Sequence, residues 1–197
     1  MIARVITAHC AIVIVLAAYI ALATAYSIAT PLFEAPDEQW HFAFVQYVAQ
    51  GRGLPVQKPG QSDHFARQEA SQPPLYYLTA ALATFWVDTS DFPGIVWENP
   101  HYGFDVPGVV NDNKNLFIHT AQESFPWHNT ALAVHLARLV SILFGTFAVT
   151  FTYLLAFEVF GGEVLAAASA ALSGSRAITD RMNCTYDRTA RPSVSSS

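Results

Sequence analysis

The chain reads as an all-α polytopic membrane protein with two full transmembrane helices, a partial third, and a large extracytoplasmic loop containing juxtamembrane amphipathic helices. Of its 197 residues, 52% are hydrophobic and only 13% are charged, about half the charge of an ordinary soluble domain. That charge is nearly absent from two long stretches and concentrated between them. The net charge of -5 leaves no basic footprint for a phosphate backbone, so a nucleic-acid partner is not expected. Two cysteines, Cys10 and Cys184, give no disulfide framework.

The first element is an N-terminal transmembrane helix within residues 1–29. Val5 to Ala29 is a run of 25 residues without a charged side chain, longer than the roughly 20 that a bilayer core requires. A cleavable signal peptide is the competing reading, since Arg4 precedes the run and Ala23-Thr24-Ala25 resembles a cleavage site. Signal cores normally run only about 7 to 15 residues, which favours an uncleaved anchor. The second span is expected within residues 130–160, where Leu139 to Phe157 is apolar and Gly161-Gly162 follows. Arg138 stands at its head, where a long side chain can snorkel to headgroups. A third apolar piece begins at residues 163–173 and stops at Ser173-Gly174-Ser175-Arg176, too short to cross unaided. Residues 174–197, rich in arginine and serine, are expected to be a disordered tail.

Between the spans lies a loop over residues 30–129. It holds 11 of the 15 acidic residues and all four tryptophans, as expected of a folded cap lying against a membrane interface. Arg4 precedes the first span and Arg176, Arg181, Arg188 and Arg191 follow the last. The positive-inside rule then places both termini in the cytoplasm and the loop outside, as in the plasma (inner) membrane of a bacterium. Within the loop a helix is expected over about residues 36–50, with Pro36 in its first turn and Gly51 and Gly53 ending it. Its Trp40, Phe44, Tyr47 and Val48 form an apolar stripe suited to lying on the membrane surface. A second helix, residues 74–87, is apolar but too short to span, and Tyr76, Tyr77 and Trp86 are available to it as headgroup anchors.

The chemistry-bearing candidates follow the first span. Asp37 and Glu38 open the first loop helix, where carboxylates favour the helix dipole by typically 0.3–1 kcal/mol. A carboxylate near the lipid boundary can also act as a general base on a hydroxyl. With His41, one turn on, it can instead bind a divalent cation. Such a metal is compatible with these residues but not required by them, because no clustered ligand spacing appears. Glu69 is a second carboxylate, just ahead of the Pro73-Pro74 pair.

Together these motifs resemble a known family. The segment Pro31, Phe33, Pro36, Asp37, Glu38, His41 after an N-terminal span, then Gln68, Glu69, Gln72, Pro73, Pro74, Leu75, Tyr76, Tyr77, is similar to the start of GT-C membrane glycosyltransferases. The nearest branch is that of protein O-mannosyltransferases and aminoarabinose transferases (glycosyltransferase family 39-like). The resemblance covers residues 1 to about 172. It implies transfer of a sugar from a polyprenyl-phosphate donor to an acceptor hydroxyl on the outer membrane face. Asp37 would then be the catalytic base, Glu38 and Glu69 further catalytic carboxylates, and His41, Gln72 and Arg138 substrate-binding groups, with Arg138 facing the lipid phosphate. The pattern departs at Ser71-Gln72, where the aminoarabinose branch carries an acid and a lysine before the proline.

Members of that family have many more spans, so the chain is expected to be an N-terminal fragment with little activity of its own. Two other classes stand beside this reading. One is a non-enzymatic, membrane-anchored binding module, and the other a metal-dependent hydrolase built on Asp37, His41 and His64.

Overall fold

The computed structural model of the protein describes residues 9–57, 67–100 and 115–187. Six helices are found there: α1 (Cys10–Ala29), α2 (Glu38–Ala49), α3 (Leu75–Thr84), α4 (Phe92–Ile95), α5 (Asn129–Phe160) and α6 (Glu163–Asp187), with short 3-10 turns at Arg67–Ser71 and Ala121–Glu123. Among the described residues the β pairing is a single isolated bridge, Glu98 to Phe117. The all-α expectation holds. The contacts divide the chain into two units, one formed by α1 with Arg138–Asp180 and the other by Thr30–Ala137.

In the first unit, α1 and α5 are long and apolar enough to cross a membrane. Only 17% of the most apolar stretch of α1 and 22% of that of α5 is buried. The core helix of a soluble domain would hide its apolar face, whereas these present Ile14, Leu22, Leu143 and Leu155 outward, as a lipid-facing helix does.

The inner seam of this unit is made of small residues around one large one. Tyr19 of α1 packs with Ile142, Val149 and Tyr153 of α5 and with Ala166, Ala167 and Ala170 of α6. Gly145 admits it: a Cβ there would overlap the Tyr19 hydroxyl. Gly174 is equally committed, because a Cβ there would come within 3.3 Å of both Tyr19 and Val149. This corrects the sequence reading of Ser173-Gly174-Ser175 as the end of a broken helix. Helix α6 runs unbroken through it to Asp187, so residues 174–187 are helical rather than a disordered tail, and 188–197 lie outside the described residues. Glycine inside a helix lowers its intrinsic stability, but it lets two helices approach closely, and here that second effect decides the position.

Polar groups tie the helix ends of the unit. The Glu163 carboxylate accepts the Ala11 backbone N–H at 3.0 Å, satisfying a free donor at the start of α1. At the other end of α1, Arg138 Nη1 donates to the Ser27 carbonyl at 2.6 Å. Arg138 is 5% exposed. It is therefore a buried cap on the last carbonyls of α1, not a side chain snorkelling to headgroups.

The second unit is built around α2. Phe42, Ala43, Phe44 and Val45 are all buried, and at about 100° per residue four consecutive positions sweep most of a turn. The middle of α2 is thus enclosed on nearly every side, as a core helix rather than one lying flat on a membrane. It ends in a Schellman motif, with Gly51 at φ 73, Gly51 N–H on Val48 O at 2.9 Å and Arg52 N–H on Tyr47 O at 3.4 Å. A left-handed residue is required at that point, which glycine supplies without strain. The expected start at Pro36 is two residues early, and the second loop helix is α3, Leu75–Thr84, shorter than the expected 74–87.

Candidate functional site

The site is a turn between residues 31 and 38 that leads into α2, and its backbone is unusual. Phe33 has φ 64 and Asp37 has φ 56. For a bulky residue a left-handed backbone is a genuine outlier, costing of order 1–3 kcal/mol. It persists because the surroundings hold it. Phe33 is wholly buried, with its ring 5.8 Å from Phe42, 5.6 Å from Phe92 and 6.2 Å from Phe117. Its N–H donates to Glu38 Oε2 at 2.9 Å.

Three residues that sequence reasoning passed over complete the clamp. The Glu34 carboxylate accepts the backbone N–H groups of Leu116 and Phe117, both at 3.0 Å. His119 sits between two acids, with Nε2 3.0 Å from Glu34 Oε1 and Nδ1 2.9 Å from Glu123 Oε2. Ionised carboxylates only accept, so the ring makes both bonds when it is protonated on both nitrogens. Glu123 also accepts the Leu32 N–H at 3.4 Å. The His119/Glu123 pair has four-residue spacing, but it lies outside any long helical pattern and gave no periodic signal in the sequence.

The predicted residues divide sharply in this frame. Asp37 occupies the N-cap position of α2 in the left-handed conformation, and its side chain makes no capping hydrogen bond. Its carbonyl instead accepts the N–H groups of Trp40 at 2.9 Å and His41 at 3.0 Å. Glu38, its neighbour, accepts the Phe33 N–H through Oε2 and so forms a clasp across the turn. Gln72 is exposed, and its backbone N–H donates to Glu69 O at 3.0 Å. Arg138 belongs to the other unit, where its Nη1 donates to the Ser27 carbonyl.

His41 and Glu69 do come together. His41 Nδ1 lies 2.7 Å from the Tyr77 hydroxyl and 3.6 Å from Glu69 Oε2. The Glu69 side chain is 5% exposed and that of His41 39%. Among the described residues the outer ring nitrogen, Nε2, takes no partner, so His41 is anchored by one nitrogen and open at the other. Tyr77, expected as a headgroup anchor, is instead buried and stacked on Phe44 at 3.8 Å. Burial, then the Glu69 carboxylate and Tyr76, push its phenol pKa well above the usual value. It therefore stays a proton donor over the whole physiological range.

His64 lies outside the described residues. Among those described, no group of three His, Cys, Asp or Glu side chains is placed to hold a metal ion. Comparison with known families, curated proteins and solved structures finds no match.

Proposed function

We propose that the chain carries the acceptor-activating site of a membrane glycosyltransferase that uses a polyprenyl-phosphate sugar, with the loop outside the bacterial inner membrane and Asp37 as general base. The acceptor hydroxyl attacks the anomeric carbon, its proton passes to Asp37, and the bond from that carbon to the phosphate oxygen breaks. The polyprenyl phosphate leaves with the bonding electrons. Such a base must be held still at the membrane boundary, because the donor phosphate departs at headgroup level while its chain stays in the lipid.

One observation supports the reading above the others. Asp37 stands in a left-handed backbone conformation at the start of α2, in a turn pinned by Phe33, Glu34 and Glu38. A backbone held this firmly supplies the fixed position that a preorganised reactive group requires. His41, one turn on and anchored through Nδ1, would hydrogen-bond a substrate oxygen through Nε2 in this reading.

The test is transfer of labelled sugar from a polyprenyl-phosphate donor in the native membrane, where any further spans that complete the donor groove are present. Asp37→Asn keeps the shape and the tolerance for a left-handed backbone but removes the base. Loss of 10²- to 10⁴-fold in kcat, as for other general bases, with the donor KM little changed, is expected. Unaltered transfer would overturn the assignment and favour the non-enzymatic module.

A further inference from the structure

Tyr77 on α3 reaches across to α2, and among the described residues its hydroxyl has one hydrogen-bond partner, His41 Nδ1 at 2.7 Å. Tyr77 is 3% exposed, so water offers it little alternative. A phenol has one proton to donate, and a neutral imidazole has one N–H and one lone pair. Two assignments are open to this pair, and they differ in what they leave unsatisfied. If Nδ1 carried the ring proton, it would donate to the phenol oxygen and the buried phenol proton would lack an acceptor, which costs the desolvation of a polar group. If the phenol donates to the Nδ1 lone pair, one bond satisfies both groups. The ring proton then sits on Nε2. Glu69 does not alter this count, because its Oε2 lies 3.6 Å from Nδ1, beyond hydrogen-bond reach.

We infer that Tyr77 is a positioning residue, fixing the neutral ring of His41 as the Nε2–H tautomer so that its exposed edge is a hydrogen-bond donor. Burial and the Glu69 carboxylate, which hold the phenol protonated, keep that arrangement intact. Glu69 also gives it direction. Without the phenol oxygen, the carboxylate is the nearest polar neighbour of Nδ1 and favours an N–H there. The proton would move to Nδ1 and the outward edge would become an acceptor. Tyr77 therefore holds the ring against the pull of Glu69.

The polarity decides what His41 can do. With Nε2 protonated it presents no lone pair, so it neither takes a proton from a hydroxyl nor ligates a metal ion through that nitrogen unless the Tyr77 bond is first broken. That removes the imidazole ligand from a hydrolase built on Asp37, His41 and His64. What the edge recognises is an oxygen without a proton. This step rests on the transferase reading: the oxygen belongs to the donor phosphate and not to the acceptor hydroxyl, whose proton goes to Asp37.

The experiment uses the full chain with 15N-labelled histidine in detergent micelles, at a pH where the ring is neutral. His41→Gln identifies its signals among the seven histidines, and two-bond 15N–1H correlations distinguish the tautomers. The unaltered protein should show Nε2–H with Nδ1 accepting a hydrogen bond. Tyr77→Phe keeps the ring on Phe44 and should move the population to Nδ1–H. Adding Glu69→Gln to it should return the mixture of a free imidazole, whereas Glu69→Gln alone should leave Nε2–H in place. An Nδ1–H ring in the unaltered protein, or an Nε2–H population untouched by Tyr77→Phe, overturns the inference. These spectra need no transfer activity, so they are decided separately from the role of Asp37. In the transfer assay Tyr77→Phe should raise the donor KM roughly tenfold, the loss of one hydrogen bond, with kcat little changed. An unchanged donor KM would overturn the donor contact.

Discussion

Two substitutions at Asp37, to Gly and to Ala, separate its backbone role from its chemical one. Both delete the carboxylate, so whatever that group contributes is lost equally and the two variants differ only by a Cβ. At an ordinary helical position alanine is the more stabilising by about 1 kcal/mol. At φ 56 the order should invert, because a Cβ in the left-handed region costs roughly 1–2 kcal/mol, against about 0.5–1 kcal/mol for the extra chain entropy of glycine. The expected result is Asp37→Gly more stable than Asp37→Ala by about 0.5–1 kcal/mol, roughly two- to fivefold in a local opening constant. Hydrogen exchange of the Trp40 and His41 amides, which bond to the Asp37 carbonyl, reads that constant directly. Both variants should lose transfer activity alike. If Ala equals or exceeds Gly in protection, residue 37 is not held left-handed, and the argument from strain to function fails with it.

Other substitutions probe the two units separately. Gly145→Ala should destabilise the α1/α5/α6 unit by about 1–3 kcal/mol through overpacking, as measured by unfolding in mixed micelles, and Tyr19→Phe should recover part of the loss by removing the overlapping hydroxyl. Glu34→Ala leaves two backbone N–H groups without their carboxylate acceptor and should cost more than about 2 kcal/mol, seen as faster exchange at Leu116 and Phe117. The raised Tyr77 pKa predicts a stability that is flat near neutrality and falls above pH 10, because the unfolded phenol ionises there while the folded one does not. The slope should approach about 1.4 kcal/mol per pH unit, and Tyr77→Phe should remove it.

How far the sequence could be read depended on what each segment buries. Helices α1 and α5 were legible because length and lack of charge suffice to recognise a helix apolar enough to cross a membrane. The extent of α2 was nearly right because Gly51 and Gly53 carry their stop signal locally. Which of its faces is buried was misjudged. The stripe of Trp40, Phe44, Tyr47 and Val48 is a fair period, but Phe42 is drawn inward by Phe33 and Phe92, and Val45 is buried as well. Gly174 failed for a similar reason: a glycine that breaks a helix and one that lets helices touch are the same letter, and only Tyr19 tells them apart. The polar clamp was the least legible. Glu34, His119 and Glu123 are scattered by up to 89 positions, and the bonds that join them leave no periodic trace.

Asp37 and Glu38 make the same point within two adjacent residues. In sequence they form one acidic pair, and helix-dipole energetics treats them nearly alike. The left-handed turn at Asp37 sends the two side chains into different duties. Glu38 closes the turn by accepting the Phe33 N–H, and this bond is among those that keep Phe33, and through it Asp37, in a conformation neither would choose alone. A Glu38→Gln variant retains an oxygen acceptor and should preserve the turn, whereas Glu38→Ala should release it. If Glu38 were itself a catalytic acid, both changes would abolish transfer. If it is the clasp, Gln should keep most of the activity and Ala should lose it together with the protection of the Trp40 and His41 amides. Equal loss in the two variants, with the amides still protected in Gln, would restore Glu38 to the reacting groups.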